Sequence, residues 1–218
     1  VMLICPPGVY RPQADTRLLT RALTEAKVAR HSRVLDVCTG TGALALAAAR
    51  AGAVSVTAVD ISRGALFSAW VNSRLRRMDI ALIHGDFRNV LLGRRFDIVL
   101  ANPPYVPTGR SDVPRGADRS WDAGPDGRSA IDSLCRIAPE LLSRTGFMLM
   151  VHSALCGVDD SLTRLRASGL KAAVVARAVI PFGPVLRSRA AWLTARGFIQ
   201  PGQLDEELVV IRADRPRN

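Results

Sequence analysis

The sequence predicts an α/β fold: an open, mostly parallel sheet covered by helices on both faces. Two observations carry it. Short apolar runs of strand length alternate with helical patterns, and each of the first four runs ends in glycine, acidic or asparagine residues. Open α/β sheets bind ligands at such strand ends, so the same pattern locates a site.

The elements follow in order. Residues 15–29 show helical spacing at Leu18, Leu19, Ala22 and Leu23. Residues 33–37 read as a buried strand running into Cys38-Thr39-Gly40-Thr41-Gly42, a glycine turn that opens a helix of small apolar residues. A second strand, 55–59, ends at Asp60, placed to accept hydrogen bonds from two ribose hydroxyls. A helix over 62–76 leads to a third strand, 80–84, followed by Gly85-Asp86-Phe87, an acid and a ring suited to the amino group and face of an adenine. The fourth strand, 96–101, ends in Asn102-Pro103-Pro104-Tyr105. A helix over 129–142, a strand over 145–151, a helix over 159–168 and a strand over 171–179 come next. A basic helix within 184–199 and a last strand over 207–212 complete the list.

The Asn-Pro-Pro-Tyr turn carries the most chemistry. An amide or exocyclic amino nitrogen is a poor nucleophile because its lone pair is delocalised. A site can counter this with two aimed acceptors, here the Asn102 side-chain oxygen and the Pro103 carbonyl, each taking one N–H. Consecutive prolines stiffen the exit from the strand, and Tyr105 offers a flat face. The residue types point to methyl transfer onto nitrogen.

Gly40-Thr41-Gly42-Ala43-Leu44-Ala45 also satisfies a dinucleotide fingerprint, so a nicotinamide-dependent dehydrogenase is the competing reading. Charge opposes it. Asp36 would repel a pyrophosphate but suits a sulfonium and an ammonium, the charges of S-adenosylmethionine.

In this order the motifs resemble class I S-adenosylmethionine-dependent methyltransferases, a Rossmann-like fold with a seven-stranded sheet and an antiparallel last strand. Within them, the chain is similar to HemK-type glutamine methyltransferases that modify peptide-chain release factors. The opening segment Gly8-Val9-Tyr10-Arg11-Pro12-Gln13-Ala14-Asp15-Thr16 resembles the short HemK-like branch, and Trp121-Asp122-Ala123-Gly124-Pro125-Asp126-Gly127 resembles the loop after the catalytic turn. The resemblance implies a cofactor site of Thr16, Asp36, Cys38, Thr39, Gly40, Thr41, Gly42, Asp60, Ile61, Asp86, Phe87 and Asn102. It assigns the acceptor amide to Asn102, Pro103, Pro104 and Tyr105, with no metal. Cys38 replaces the family's first loop glycine. The resemblance to the short branch implies a chain without the N-terminal substrate-recognition domain of the longer enzymes, for which there is no room before Val34 in this sequence, and it implies a small partner subunit.

Length and composition set the remaining expectations. The 218 residues, 48% hydrophobic, fit a single domain over 1–218: a helical opening segment to residue 30, a cofactor and catalytic core over 33–151, and a C-terminal completion of the sheet over 152–218. No apolar run suits a signal peptide or membrane helix, so a soluble cytoplasmic protein without a membrane partner is expected. Four scattered cysteines, Cys5, Cys38, Cys135 and Cys156, form no C-x-x-C pair and are expected to be reduced. The net charge of +11 raises a nucleic-acid partner. Apart from Lys27 and Lys171 the basic residues are arginines spread along the chain, the pattern of solvated faces. Arg110, Arg115, Arg119 and Arg128 crowd the loop after the catalytic turn, where an acidic protein or RNA would enter. Trp70 and Trp192 are expected in the core, Trp121 nearer a ligand, and His84 and His152 receive no role.

The expected function is therefore methyl transfer from S-adenosylmethionine to a glutamine side-chain amide of a protein such as a release factor. An adenine or cytosine amino methyltransferase acting on nucleic acid is the alternative. A second alternative is a binding protein that keeps the fold without activity.

Overall fold

In a computed structural model, which describes residues 2–27, 31–109 and 116–216, the strands β1 (Arg33–Val37), β2 (Ser55–Asp60), β3 (Ala81–His84), β4 (Phe96–Ala101), β5 (Leu142–Ser153), β6 (Lys171–Pro181) and β7 (Asp205–Asp214) form one sheet in the order β3-β2-β1-β4-β5-β7-β6. All neighbours are parallel except β7, which lies antiparallel between β5 and β6. The order reverses between β1 and β4. That switch point leaves a crevice at the strands' carboxyl ends.

Strand alternation sorts the core into two layers. Leu35, Val37, Val99 and Met148 face α5 (Ser129–Leu141) and α6 (Val158–Ala167), packing with Ile131, Leu134 and Leu165. Their neighbours Val34, Ile98, Leu100 and Leu149 face α1 (Ala14–Glu25) and α2 (Ala43–Arg50), packing with Leu19, Leu23 and Leu44. The period of two along each strand produces this division, since successive side chains point to opposite faces. Helix α3 (Arg63–Arg74) starts at Ser62, whose hydroxyl accepts a hydrogen bond from Ala65 N.

Two segments act directly on the crevice. The N-terminal strap is tied to α3 by Asn72, which accepts from Ile4 N and donates to Ile4 O, both at 2.9 Å, with Ser68 Oγ also donating to Ile4 O. At the other end α7 (Pro184–Ala195) forms a small core of its own from Phe182, Leu186, Leu193 and Ile199 with Val106. Helix α7 is thus a packed connection between β6 and β7.

The predicted strands are all present, with β5, β6 and β7 longer than their patterns suggested. The one-turn helix α4 (Phe87–Val90) and the 3-10 turns at Gly116–Ser120 and Ala154–Cys156 were not predicted. Trp70 is not core: it is 47% exposed and stacks on Phe67, three residues earlier on the outer face of α3, at 6.2 Å. Trp192 is half-buried against Phe198. The four cysteines are free. No helix among the described residues is long and apolar enough to cross a membrane.

Candidate functional site

A cavity of about 600 Å³ fills the crevice, within the range of small-molecule sites. Its walls bring together Thr16, Cys38, Thr39, Gly40, Thr41, Asp60, Ile61, Asp86, Phe87, Asn102, Pro103, Pro104 and Tyr105. Two sequence-predicted residues stand apart. Neither Asp36 nor Gly42 lines the cavity.

Asp36 lies beneath the β1–α2 loop, fully buried. Its Oδ2 accepts from Thr39 Oγ1 at 2.5 Å and from Ala45 N at 3.0 Å, so it ties the loop to the first turn of α2. Its Oδ1 has no hydrogen-bond partner among the described residues. Burial raises its pKa to about 7 despite those two hydrogen bonds. The loop itself turns through left-handed backbone at Cys38 (φ 59°), Gly40 (φ 53°) and Gly42 (φ 80°). At Gly42 a Cβ would sit 3.1 Å from the Ala69 side chain. At Cys38 the same conformation is imposed on a residue with a Cβ, which costs about 1–2 kcal/mol. Burial, with Asp60, Asp36 and Asp86 nearby, pushes the Cys38 thiol well above its ordinary range.

Asp60, at the end of β2, holds the neighbouring loops together: Oδ2 accepts from Gly40 N at 2.9 Å and Oδ1 from Ser62 N at 2.8 Å. Burial raises its pKa, partly offset by these bonds. Asp86 caps α4 through Arg88 N and pairs with the Arg88 side chain, which lowers its pKa. Phe87 stands beside it on the wall. Of the histidines at strand ends, His84 is exposed and contacts Ile61 O at 3.1 Å. His152 is wholly buried, its pKa lowered to about 4 by burial.

The turn after β4 is held from behind. Val106 N donates to Trp121 O at 2.7 Å, Ala123 N to Val106 O at 3.1 Å and Thr108 N to Gly124 O at 2.9 Å, a short parallel pairing between the turn's exit and the following loop. Cys156 Sγ donates to Tyr105 O at 2.9 Å. Gly127 (φ 73°) closes against the same carbonyl, where a Cβ would lie 2.5 Å from Tyr105 O. Asp122, buried, pairs with Arg189 of α7 at 2.6 Å. Trp121 reaches the cavity wall as expected. Arg128 corrects the reading of an arginine-lined entrance: it is 7% exposed and spent on Cys156 O, Gly157 O and Asp132. Arg110 and Arg115 lie outside the described residues, as does the Arg119 side chain.

Three site residues escaped the sequence reading: Tyr10, Asp15 and Glu206, all on the cavity wall. Asp15 is buried and its Oδ2 accepts from Tyr10 OH at 2.8 Å, Tyr105 OH at 3.1 Å and Asn102 Nδ2 at 3.1 Å. The signal was present in α1. Asp15 precedes Leu19, Ala22 and Leu23 by four, seven and eight residues, which puts an acid on the buried face. Glu206, on β7, is buried with Oε2 unpartnered among the described residues, and burial raises its pKa to about 7. No local pattern marks it.

Cavity acids at the ends of parallel strands and a glycine loop that brings backbone close fit a ligand with positive charge. The doubly wound sheet with an inserted antiparallel strand, ending β4 in Asn-Pro-Pro-Tyr, defines a class I S-adenosylmethionine-dependent methyltransferase. The methyltransferase small domain family matches residues 3–115, and the chain belongs to it. A Methanocaldococcus jannaschii protein named as a protein N5-glutamine methyltransferase is 32% identical over 177 residues, covering 81% of this chain and 88% of that one. The release factor glutamine methyltransferase of Xylella fastidiosa is 34% identical over 149 residues, 65% of this chain and 54% of that one. The chain thus spans about half the length of that enzyme. Among solved structures, the E. cuniculi Mtq2–Trm112 complex, described as responsible for methylation of the eRF1 translation termination factor, superposes with a TM-score of 0.65 at 20% identity, covering 96% of this chain and 99% of that one. The T. thermophilus 16S rRNA N2 G1207 methyltransferase, bound to AdoMet and guanosine, gives 0.65 at 20% identity over 96% of this chain and 46% of that one. At this identity the structures speak for the fold.

Proposed function

We propose that the protein methylates a glutamine side-chain amide in a protein substrate, with a peptide-chain release factor as the acceptor. The observation that carries this is the Asn102 amide at the end of β4. Its Nδ2 is committed to Asp15, so Oδ1 is the end left for an incoming N–H. Relatives named for glutamine methylation support the same acceptor.

When bound, S-adenosylmethionine would supply an electrophilic methyl group, leaving as S-adenosylhomocysteine, and the amide nitrogen that takes the methyl would pass one proton to water. The chain's own residues bind and aim. Asn102 Oδ1 and Pro103 O accept the two amide hydrogens and stabilise the positive charge growing on nitrogen. Pro103 and Pro104 hold the turn rigid, and Tyr105 faces the amide plane. Asp60 and Ile61 take the ribose, Asp86 and Phe87 the adenine. Cys38, Thr39, Gly40, Thr41 and Thr16 surround the methionine part, with Asp36 and Gly42 shaping the loop from beneath. Rate comes chiefly from proximity and orientation. A small partner subunit completes the proposal, supported by the E. cuniculi complex of two proteins.

A nucleic-acid acceptor is the second reading, favoured by the net charge of +11. Transfer of labelled methyl from S-adenosylmethionine into an undermethylated extract separates the two. Label that resists nuclease and is released as small peptides by protease supports glutamine; label removed by nuclease overturns it.

A further inference from the structure

Asp15 is given no contact with cofactor or acceptor in the scheme above, yet it is the most heavily bonded acid in the cavity wall. Its Oδ2 gathers three donors from two segments: Tyr10 of the N-terminal strap, and Asn102 and Tyr105 of the catalytic turn. Its Oδ1 accepts from Thr16 N at 2.5 Å and Thr16 Oγ1 at 3.2 Å, which fixes the carboxylate against its own helix. The residue is 3% exposed, so water cannot replace these donors without opening the site.

The consequence lies in the chemistry of an asparagine amide. The two ends of Asn102 are nearly the same size, and a half-turn of the amide exchanges them. Only one orientation offers an acceptor to a substrate N–H; the other offers a donor and repels it. An ionised carboxylate can only accept, so Asp15 holds the NH2 end and turns the oxygen the other way. Thr16 Oγ1, 3.4 Å from Nδ2, lies on the same side. The same acid fixes the Tyr105 phenol and thereby its ring. Burial and the neighbouring acids push the Tyr10 and Tyr105 hydroxyls far above their ordinary range, so both stay protonated donors.

We infer that Asp15 is a positioning residue for methyl transfer: its carboxylate sets the orientation of the Asn102 amide and the Tyr105 ring before the acceptor arrives. This rests on the proposed role of Asn102 toward an amide acceptor. It assigns the opening segment a task beyond covering the cofactor. The arrangement is charge-assisted, which makes it stronger than a neutral pair would be.

The test uses Asp15→Asn, which keeps the shape and removes the charge, and the exchanged pair Asp15→Asn with Asn102→Asp. With an unmethylated release factor as acceptor, Asp15→Asn lowers kcat about 100-fold, as for loss of an aimed polar group. The Kd for S-adenosylmethionine and the melting temperature stay close to wild type. In the exchanged pair the amide at position 15 donates to a carboxylate at position 102, which again presents an acceptor oxygen, and most of the lost rate returns. Nitrogen-15 spectra of the substrate-free protein report orientation without activity: the Asn102 side-chain amide protons, assigned by their absence in Asn102→Ala, shift in Asp15→Asn.

Unmoved amide resonances overturn the inference, as does a wild-type kcat or a rate loss explained wholly by weaker cofactor binding. If Asp15→Asn does not fold, the exchanged pair decides: a rate above that of Asn102→Asp alone supports positioning, and an inactive or unfolded pair assigns the acid to stability and overturns it. A wild-type protein that ignores glutamine acceptors sinks the glutamine reading, while the resonance shift still decides the role of Asp15.

Discussion

The two ends of the cavity are built on different principles. At the β1–β3 end, Asp36, Asp60 and Asp86 each close a strand and bond to nearby backbone in the same or an adjacent loop. At the β4 end, Tyr10, Asp15, Asn102, Tyr105 and Glu206 converge from the strap, α1, the catalytic turn and β7, and Asp15 and Asn102 are 87 residues apart in sequence. The first end is a set of local motifs. The second is a product of the fold, and only its turn carries a local signature. A ligand shared by many enzymes can be held by the local set, while the group that differs between enzymes meets the assembled one.

The strongest way to break this comparison is Asn102→Ala. It should lower turnover about 1000-fold while calorimetry finds S-adenosylmethionine bound nearly as in wild type. Equal losses in both would merge the two ends into one. The reverse experiment is Asp60→Ala at the end of β2. Removing hydrogen bonds from a charged group costs about 1.5–3 kcal/mol, so the Kd for the cofactor should weaken about 10- to 100-fold with turnover at saturation largely kept.

The legibility of the chain follows the same division. The strands were legible because five to six residues of β-branched and apolar character end in polar turns, as at β1 and β4. The extra length of β5 and β7 was not, since Leu142–Arg144 and Asp205–Glu206 become strand only by pairing with neighbours. Trp70 failed because an aromatic on a helix was read as core, whereas Phe67 and Trp70 stack with each other on the outer face of α3. Arg128 failed for the opposite reason: a charge in a loop was read as part of a substrate entrance, but it satisfies two carbonyls and Asp132 from inside. Glu206 could not be found, because nothing near it in sequence says that β7 runs back past the catalytic turn.

Glu206 sharpens the comparison through pH. Its pKa is raised by burial from 4.5 to about 7, offset only in part by Ser153 and raised further by Asp15. The folded state therefore keeps a proton that the unfolded chain has lost, so this group's contribution to stability falls as pH rises from 4.5 through about 7. The cost is about 3 kcal/mol above that window. Glu206→Gln removes it. In thermal melts from pH 5 to 8, the variant should gain on wild type as pH rises, with the gap flat above pH 8. A constant gap would mean that Glu206 is not strained by burial. His152, with a pKa lowered to about 4, acts oppositely below pH 6.5 and is common to both proteins.

The smallest effect is expected in the glycine loop. Cys38→Gly relieves a left-handed residue at φ 59°, and after the entropy of the added glycine the gain should be about 0.5–1 kcal/mol. It would register as a rise of about 2 °C in Tm, with turnover unchanged. A drop in Tm would mean that packing of the thiol outweighs the backbone.

The central claim is that the cavity delivers a methyl group to an amide held at Asn102. Incubation of the protein with S-adenosylmethionine labelled in its methyl group and an unmethylated release factor, followed by mass spectrometry of the labelled peptide, tests it most directly. The account predicts one N5-methylglutamine, absent from the reaction with Asn102→Ala. Label on any other residue, label on an adenine or cytosine of added RNA, or an Asn102→Ala reaction that matches wild type would contradict it.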